Sequence, residues 1–183
     1  MLQRDAYCNS CGTAFAETKS YPRKCNTCGL QIWANPIPVA VVLLPVVTES
    51  KTGLLVVRRG IEPRKGFLSL VGGFLEDHET WQQGGARELR EETGIIIDHA
   101  TIEPFWYAST EPRPNRVLLF SIAKPIAQAS FGAFTPNTEV SERGLIFGPE
   151  GLDEVFAFPL HLEAVRRYFR ERGVAGSADY TIC

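Results

Sequence analysis

The 183-residue sequence has little excess charge, no long apolar run and few cysteines, and each shortage excludes a class of protein. Its formal net charge of −2 argues against a chain whose main task is to coat nucleic acid or an anionic membrane. The longest apolar run, VAVVLLPVV at 39–47, contains Pro45 and is too short to span a bilayer. The first residues, MLQRDAYCNSCG, lack the basic start and apolar stretch of a secretory signal. We therefore expect a soluble, cytoplasmic protein that has no membrane partner.

Four of the five cysteines fall in two CxxC pairs, CNSCG and CNTCG. Two residues between the cysteines and a glycine after each pair let both thiolates point at one tetrahedral ion. Four thiolates close such a site, so the pattern predicts a structural Zn²⁺ ion held by Cys8, Cys11, Cys25 and Cys28. Two disulfides would need an oxidising compartment, which nothing in the sequence indicates. An iron site and a site without metal are the remaining alternatives.

The chain is expected to divide into a zinc ribbon at 1–34, a larger domain at 35–175 and a tail at 176–183. A ribbon of this size has no core of its own, so metal binding would supply most of its folding free energy. The proline-bearing linker WANPIP marks the boundary. With 44% hydrophobic residues, the remaining chain is long enough for one cored domain.

Beyond the linker, β-branched runs predict strands and two segments predict helices. Thr80 with Gln83 forms a capping box, and Gly94 stands where a left-handed C-terminal residue is needed, which predicts a helix at 81–93. A second, amphipathic helix is predicted at 160–172. The predicted strands are a hairpin at 38–47 and 54–59, and further strands at 67–74, 95–97, 102–109, 116–123 and 143–147. These elements predict an α/β architecture with a mixed sheet flanked by helices.

Three glutamates, Glu88, Glu91 and Glu92, crowd the end of the first predicted helix. Residues three and four apart lie on one face of a helix, so these side chains form one carboxylate cluster. Like charges there cost roughly a few tenths of a kcal/mol per pair, a cost that a divalent cation between them removes. Carboxylate oxygens suit Mg²⁺ or Mn²⁺, and Arg87 can orient Glu91 from four residues earlier. A solvated charged helix face is the ordinary alternative.

The residues around this cluster follow a single pattern from Gly73 to Ile95. The pattern is G-x5-E-x7-R-E-U-x-E-E-x-G-U, where U is aliphatic and where Glu79 and Arg87 are the first charged members. This is the full Nudix box, and on it the chain resembles the Nudix hydrolases. The resemblance implies an α/β/α sandwich in which the box forms a loop, a helix and a loop at the active site.

The same resemblance implies a reaction and a set of residue roles. In Nudix hydrolases the box glutamates bind divalent metal, and water splits a nucleoside diphosphate that is linked to another moiety. The implied metal ligands are Glu88, Glu91, Glu92 and the main-chain carbonyl of Gly72. The implied structural residues are Gly73, Glu79 and Arg87, the last two through a salt bridge. Relatives in the family also suggest a homodimer.

Two glycines depart from the usual family pattern, since Gly84 and Gly85 stand at helix positions that the family usually fills with alanine. Each glycine costs an exposed helix about 1 kcal/mol relative to alanine. We therefore expect the helix backbone to pack closely on the sheet at these positions.

The substrate is narrowed by motifs outside the box. A cysteine-paired ribbon joined to a Nudix box is similar to the NADH pyrophosphatases, but the SQPWPF-type motif of that group is replaced by EPFWYASTEPRPN. The segments ANP, RRGIEPRKG and GGFLE are more similar to ribbon-bearing FAD and ADP-ribose pyrophosphatases of the plant kind. The resemblance thus implies a small, ADP-linked nucleotide substrate, with ADP-ribose and FAD favoured over NADH.

Further candidates rest on position alone. Glu142 stands where related enzymes place an extra glutamate that binds metal or positions water, and Glu139 is the alternative. The candidates for substrate binding are Arg58, Arg64, Arg113, Arg116 and Trp106. Arginines ordinarily keep a surface soluble, and a strand aromatic is more often part of the core. His161 is expected to have no catalytic role, because the mechanism does not require an imidazole.

A ligand-sensing Nudix domain with a nucleic-acid-binding ribbon is the competing interpretation. The charged residues of the ribbon are Arg4, Lys19, Arg23, Lys24, Asp5 and Glu17. Their positive surplus is small for a surface that contacts phosphates. A degenerate sensor would also be expected to lose metal ligands, whereas every box glutamate is present. We therefore expect an enzyme, and we do not expect a nucleic-acid partner.

Overall fold

The computed structural model describes residues 6–16, 21–111 and 115–183, and the chain forms two compact units. The first unit, Met1–Pro36, carries both CxxC pairs, and the second, Ile37–Cys183, carries the box. None of the helices in the described ranges has the length and apolar character needed to cross a membrane.

The first unit contains two tight turns and an antiparallel pair of strands, β1 (Arg23–Lys24) and β2 (Gln31–Ile32). In each CxxC turn the glycine amide donates to the carbonyl of the first cysteine, at 2.9 Å for both Gly12 and Gly29. Both glycines have positive φ, 71° and 76°, a conformation that costs other residues roughly 1–2 kcal/mol. The turn geometry therefore explains why a glycine follows each cysteine pair.

The second unit contains short strands and two helices. In chain order the strands are β3 (Ile37–Leu43), β4 (Pro45–Val47), β5 (Thr52–Arg59), β6 (Leu68–Ser69), β7 (Val71–Phe74), β8 (Glu103–Ser109), β9 (Arg116–Ile122), β10 (Ile126–Ala127), β11 (Val140–Ile146) and β12 (Thr181–Ile182). The helices are α1 (Trp81–Thr93) and α2 (Pro159–Glu171), with 3₁₀ turns at His99–Thr101 and Gln128–Ser130.

The strands of the second unit form two mixed sheets. One has the order β7-β3-β9-β8, with β3 and β9 parallel, and the other has the order β10-β4-β5-β11-β12, with β6 beside β5. The chain passes from the first sheet to the second at Leu44, between β3 and β4. Of β3 and β4, only β4 therefore pairs with β5, and the predicted hairpin of 38–47 with 54–59 is limited to this short part.

The apolar runs of β3 and β5 are continuous because both faces of these strands are buried. Val41 and Leu43 belong to a core cluster that includes residues of α2, such as Val165. Val42 and Leu44 point the opposite way, into a cluster that includes Leu89 of α1. The two helices thus cover opposite faces of the strand layer, and the expected α/β/α sandwich is confirmed.

Helix α1 has the predicted bounds, and α2 begins and ends one residue before the predicted 160–172. The prediction of a strand at 95–97 was wrong. Ile95 is buried and Ile97 packs on the α1-side core, but Ile96 is 81% exposed and the segment pairs with no strand in the described part of the chain. Alternating burial resembles a strand in sequence, whereas a strand also needs a partner.

The last residues join the second sheet. Strand β12 pairs antiparallel with β11, with Gly144 opposite Ile182 and Leu145 opposite Thr181. A Cβ on Gly144 would lie 2.4 Å from the ring of Tyr180, so the glycine makes room for this aromatic side chain. Residues 176–183, set apart as a tail in the sequence analysis, include this strand.

Candidate active site

A cavity of about 600 Å³ lies in the second unit, and its wall combines acidic, basic and apolar side chains. The acidic members are Glu62, Glu76, Glu88, Glu92 and Glu139, and the basic members are Arg59, Arg87 and Arg116. Residues 158–161, at the start of α2, form another part of the wall. A cavity of this size suits a nucleotide-sized ligand.

Helix α1 carries the box glutamates, and both of its ends are fixed as predicted. The Gln83 amide donates to Thr80 Oγ1 at 3.3 Å, and the Thr80 amide donates to Gln83 Oε1 at 2.8 Å. Gly94 has a φ of 74°, and its amide donates to the Arg90 carbonyl at 2.9 Å. These caps set where the helix begins and ends, and therefore which residues share its inner face.

The two glycines in the middle of α1 allow close packing. A Cβ on Gly85 would lie 2.7 Å from Val42 Cγ2 of β3, and one on Gly84 would lie 2.4 Å from Leu75 Cδ2. Side chains at these positions would push the helix away from β3 and from the loop after β7. The expected close packing is confirmed, and it offsets the low helix propensity of glycine.

Glu88 lies directly against the main chain of β7. A Cβ on Gly73 would fall 2.3 Å from Glu88 Oε1, so the carboxylate fits only because residue 73 is glycine. Glu88 is 8% exposed, and its burial raises the pKa of the carboxyl, while the hydrogen bond from Arg87 opposes that rise. Gly73 therefore contributes by having no side chain, which leaves room for the Glu88 carboxylate.

Arg87 ties the acidic side chains to the loop that precedes α1. Its Nε and Nη2 donate to the two carboxylate oxygens of Glu79 at 2.7 and 3.1 Å, and Nη2 also donates to the Phe74 carbonyl at 2.9 Å. Its Nη1 donates to Glu88 at 2.7 Å and to Glu91 at 3.1 Å. The salt bridge implied for Glu79 and Arg87 is present, and it fixes the box loop relative to the helix.

Glu92 is buried to the same degree as Glu88 but has fewer partners. Its side chain is 9% exposed, and Oε2 has no hydrogen-bond partner in the described residues. Burial raises the pKa of Glu92 to about 8, with Glu88 and Glu139 adding to the rise and a backbone hydrogen bond from Gly72 opposing it. A buried carboxylate oxygen without a donor is costly unless a cation lies beside it.

Three buried polar atoms of the described second unit have no hydrogen-bond partner: Glu92 Oε2, Arg116 Nε and His161 Nδ1. All three residues line the same cavity. Because buried polar groups are nearly always hydrogen-bonded, their concentration here marks the place where a ligand, an ion or ordered water completes the structure.

Glu139 lines the cavity, and the loop that carries it is held by Asn137. Asn137 Oδ1 accepts from the amides of Glu139 and Val140 at 2.9 and 2.8 Å, while its Nδ2 donates to the Glu91 carbonyl at 2.9 Å. The loop is thereby fastened to the end of α1. The Glu139 carboxylate is close enough to Glu88 and Glu92 to raise the pKa of both.

The structure places Glu142, a predicted site residue, away from the cavity. Glu142 does not line the cavity; its Oε1 accepts from Arg58 Nε at 2.8 Å and from the Tyr180 hydroxyl. The Tyr180 hydrogen bond, followed by Arg58, lowers the pKa of Glu142. A carboxylate with both of these donors is already satisfied. The bulge in β11 between Val140 and Glu142 interrupts the regular alternation of side chains between the two faces of the sheet. The face on which Glu142 lies therefore could not be predicted from its position in the sequence.

The predicted basic residues separate in the structure. Arg116 lines the cavity, with its guanidinium 5.3 Å from the Phe74 ring centroid. Arg58 pairs with Glu142 and does not line the cavity. Arg64 also does not line it and lies over the ring of Phe67, at 5.4 Å.

Two further candidates for substrate binding remain. Arg113 lies outside the described residues. Trp106 does not line the cavity and packs in the core instead, stacked on Phe120 with ring centroids 5.1 Å apart and covered by Arg167 at 4.2 Å. Trp106 therefore packs against the core, as strand aromatics usually do.

Arg59 and His161 both line the cavity, although neither was predicted as a site residue. Arg59 lies opposite Val140 in the sheet, whereas Arg58 lies opposite Glu142. Neighbouring residues of a strand point to opposite faces, so at most one of the two arginines could face the cavity. This alternation was the signal in the sequence that could have identified Arg59 as the alternative to Arg58. No comparable signal marked His161.

The four cysteines of the first unit form a compact group, with their sulfur atoms all within 4.8 Å of one another. Cys8 Sγ lies 3.7 Å from Cys28 Sγ, and Cys11 Sγ lies 3.7 Å from Cys25 Sγ. A tetrahedral Zn²⁺ with bonds of about 2.3 Å separates neighbouring sulfurs by about 3.8 Å. All four thiols are free. Their chemistry and spacing therefore fit a zinc ion.

The carboxylates of the cavity are more widely spaced than the cysteines. Among the described residues, the cysteines form the only group of three or more Cys, His, Asp or Glu side chains whose ligand atoms converge so closely. Glu91 does not line the cavity and is half exposed, bound by Arg87 and by Arg90.

Known proteins share this domain. The NUDIX domain profile matches residues 36–170. The chain is 27% identical over 173 residues to the NAD-capped RNA hydrolase NudC of Stutzerimonas stutzeri, covering 93% of this chain and 56% of that protein. It is 40% identical over 50 residues to the ADP-ribose pyrophosphatase of Methanocaldococcus jannaschii, covering 27% and 30%. The chain thus spans between about a third and just over half of these curated relatives.

The fold also matches solved structures. The crystal structure of a NUDIX hydrolase from Nitrosomonas europaea superposes with a TM-score of 0.63 at 25% identity, covering 93% of this chain and 95% of that chain. The box residues, the sandwich and the domain match agree. The chain therefore belongs to the Nudix family.

Proposed function

We propose that this protein is a metal-dependent pyrophosphohydrolase that cleaves a nucleoside diphosphate linked to another moiety and releases a nucleoside monophosphate. The observation that carries the proposal is the buried Glu92 carboxylate, whose Oε2 has no partner in the described residues. Glu88 adds a second buried carboxylate to the same cavity. Because paired buried carboxylates need positive charge, a hard divalent cation is the ligand that fits this donor set.

In this proposal Glu88, Glu91, Glu92 and the Gly72 carbonyl hold Mg²⁺ or Mn²⁺. When bound, the cation would withdraw charge from the phosphoryl oxygens and lower the pKa of a coordinated water. Gly72 lines the cavity and has no side chain, so any ligand atom that it contributes there belongs to the main chain. Glu91 would turn from Arg87 toward the cation.

The remaining box residues keep the carboxylates in place. Arg87 holds Glu88 and Glu91 from one side and Glu79 from the other, which couples α1 to the loop before it. Gly73 leaves the space that the Glu88 carboxylate occupies. These contacts support a structural role for Gly73, Glu79 and Arg87, since orientation of the ligands matters as much as their identity.

Glu139 takes the role that sequence position suggested for Glu142. We assign it to the attacking water, which it would orient and whose proton it would accept. Its side chain is exposed at the cavity and has a Coulombic effect on both Glu88 and Glu92. A general base must lie within reach of the proton it removes, and among the two candidates only Glu139 lines the cavity.

ADP-ribose and FAD are the favoured substrates, and NADH is a third candidate. The preference comes from the segments RRGIEPRKG and GGFLE, and one matched relative is named for ADP-ribose. Another is named for NAD-capped RNA, so we include this compound among the substrates to be tested. Each of these molecules contains an adenylate group that is linked to another moiety through a pyrophosphate. Arg116, with its buried and unpartnered Nε, is the basic side chain that would meet a phosphate.

A Zn²⁺ ion held by Cys8, Cys11, Cys25 and Cys28 is part of the same proposal. The ion would be structural, because four protein ligands leave no open position for substrate. The sulfur spacing and the two glycine turns support this assignment.

The test is a substrate panel assayed with Mg²⁺ for released AMP or another monophosphate. The panel contains ADP-ribose, FAD, NADH, NAD, diadenosine polyphosphates and NAD-capped RNA. We expect AMP from ADP-ribose or FAD, loss of the signal with a chelator and recovery with Mn²⁺. Tight nucleotide binding without turnover of any compound would contradict the proposal and would indicate a ligand-binding module.

A further inference from the structure

Helix α2 begins at the cavity wall, and its first turn has no capping side chain. Phe158 precedes the helix and Pro159 is its first residue, and both line the cavity together with Leu160 and His161. The Leu162 amide donates to the Phe158 carbonyl at 3.1 Å. The amides of Leu160 and His161 come before this bond and have no partner within the helix. The helix therefore presents free donors and the positive end of its dipole.

His161 supplies a second, independent sign of a ligand. The side chain is only 7% exposed, it lines the cavity, and its Nδ1 is buried without a partner in the described residues. Burial, followed by the charge of Arg59, lowers the pKa of His161 to about 3. The ring is therefore neutral at physiological pH and carries one N–H donor.

Arg59 adds positive charge to the same part of the wall. Its guanidinium lies 4.9 Å from the Phe158 ring centroid, and its Nε donates to the Pro63 carbonyl at 2.9 Å. Its charge lowers the pKa of both Glu92 and His161, so it lies within electrostatic reach of the acidic residues and of α2. Arg59 thus brings a positive charge to this wall, to which the neighbouring loop at 61–63 also adds Glu62.

The Phe158 ring at this wall already has two partners. Arg59 lies over it, and the His161 ring lies beside it with ring centroids 5.1 Å apart. A planar base would need a free ring face. Helix amides, an imidazole N–H and a guanidinium are instead the donors that bind phosphate in proteins.

We propose that the first turn of α2, the imidazole of His161 and the guanidinium of Arg59 form a subsite for a phosphoryl group. The inference rests on the proposed function: one phosphoryl group of the pyrophosphate would meet the carboxylate-bound cation, and the other would lie against this subsite. The ligand is the phosphoryl group of a pyrophosphate rather than a nucleobase. His161 and Arg59 are thus positioning residues for the cleaved linkage.

The test measures the affinity of inorganic pyrophosphate by calorimetry, with Mg²⁺ present and no nucleoside to bind elsewhere. His161→Phe retains the ring packing and removes the donor, and we expect it to bind pyrophosphate about tenfold more weakly, the effect of one lost charge-assisted hydrogen bond. His161→Gln, which restores an N–H, should recover part of the loss. His99→Phe is the matched control, because His99 is exposed and does not line the cavity.

A second variant keeps the test decisive if His161→Phe folds poorly. Arg59→Gln should weaken pyrophosphate in the same direction while leaving adenosine binding unchanged. Wild-type pyrophosphate affinity in Arg59→Gln and in a folded His161→Phe would overturn the subsite even if turnover is normal. Equal losses for adenosine and pyrophosphate would identify a base site and overturn it as well. Histidine-dependent pyrophosphate binding with no turnover of any substrate would keep the subsite and overturn the proposed function.

Discussion

At the scale of single residues, Glu88 and Glu92 are neighbours on one helix face but differ in their partners. Glu88 shares the guanidinium of Arg87, at 2.7 Å, and fits into the space left by Gly73. Glu92 has a buried oxygen without a partner in the described residues. The difference is chemical: Glu88 is already held in orientation, whereas Glu92 has free coordinating capacity. Glu92 is therefore the more informative residue to substitute.

Glu92→Gln should reduce turnover of the preferred substrate at least about 100-fold, corresponding to roughly 3 kcal/mol of lost transition-state stabilisation. The fold should survive, because the amide has nearly the same shape as the carboxylate and removes a buried charge whose Oε2 has no partner in the described residues. Monophosphate release and the thermal midpoint are measured together. Glu171→Gln is the matched control, since Glu171 is exposed at the end of α2. Near-normal turnover in Glu92→Gln would remove this residue from the metal site.

Glu139 and Glu142 are separated by substitution with glutamine. Glu139→Gln should lower kcat by about 10²- to 10⁴-fold, the usual effect of losing a general base. Glu142→Gln should retain turnover and lose about 1 kcal/mol or less of unfolding free energy, because its pair with Arg58 is partly exposed. Steady-state kinetics and urea unfolding measure the two effects. The reverse pattern of kinetic losses would restore Glu142 as the site residue.

At the scale of elements, α1 shows how tertiary packing overrides helix propensity. Its two central glycines are unfavourable in an isolated helix. They are buried, and Gly85 allows the helix backbone to approach Val42 in the middle of β3. Close approach keeps Glu88 and Glu92 at the cavity wall. The glycines thus support the site without touching a ligand.

Gly85→Ala should destabilise the protein by about 1–3 kcal/mol, because the added methyl overpacks a buried contact. An exposed helical glycine would show the opposite sign, with alanine more stable. Urea unfolding measures the change. Gly132→Ala is the control, since no atom lies within 4 Å of a Cβ at that position. A stabilising Gly85→Ala would mean that the helix shifts freely and that the contact is unimportant.

At the scale of the whole molecule, the two units have separate sources of stability. Residues 37–183 contain two hydrophobic clusters and every residue that lines the cavity. The described residues of the first unit are mostly exposed, and Cys8 and Cys25 are its buried hydrophobic members. A unit of this kind would depend on the proposed zinc ion for its folding.

Cys25→Ser should therefore lower the zinc content from one ion per chain to none, while Mg²⁺-dependent turnover remains unchanged. Elemental analysis of the purified protein and the panel assay measure the two quantities. Cys183→Ser serves as the control, because this cysteine lies outside the group of four. Zinc retained in Cys25→Ser, or turnover lost with the zinc, would contradict the separation of roles.

The sequence was sufficient wherever the determining interaction is local. The capping box at Thr80, the left-handed Gly94 and the spacing of the three glutamates depend on residues within one or two helical turns. The CxxC turns are equally local. These features predicted the bounds of α1 and the side chains that share its face. They predicted the cysteine group as well.

Tertiary structure alone decided which residues meet across the fold. The pairing of β3 with β9, the bulge in β11 and the contact of Tyr180 with Glu142 join distant segments. For this reason Glu139 rather than Glu142, and Arg59 rather than Arg58, came to line the cavity. Local sequence fixes the direction of a side chain relative to its own element. The partner facing it is set by packing between elements, which depends on the whole chain.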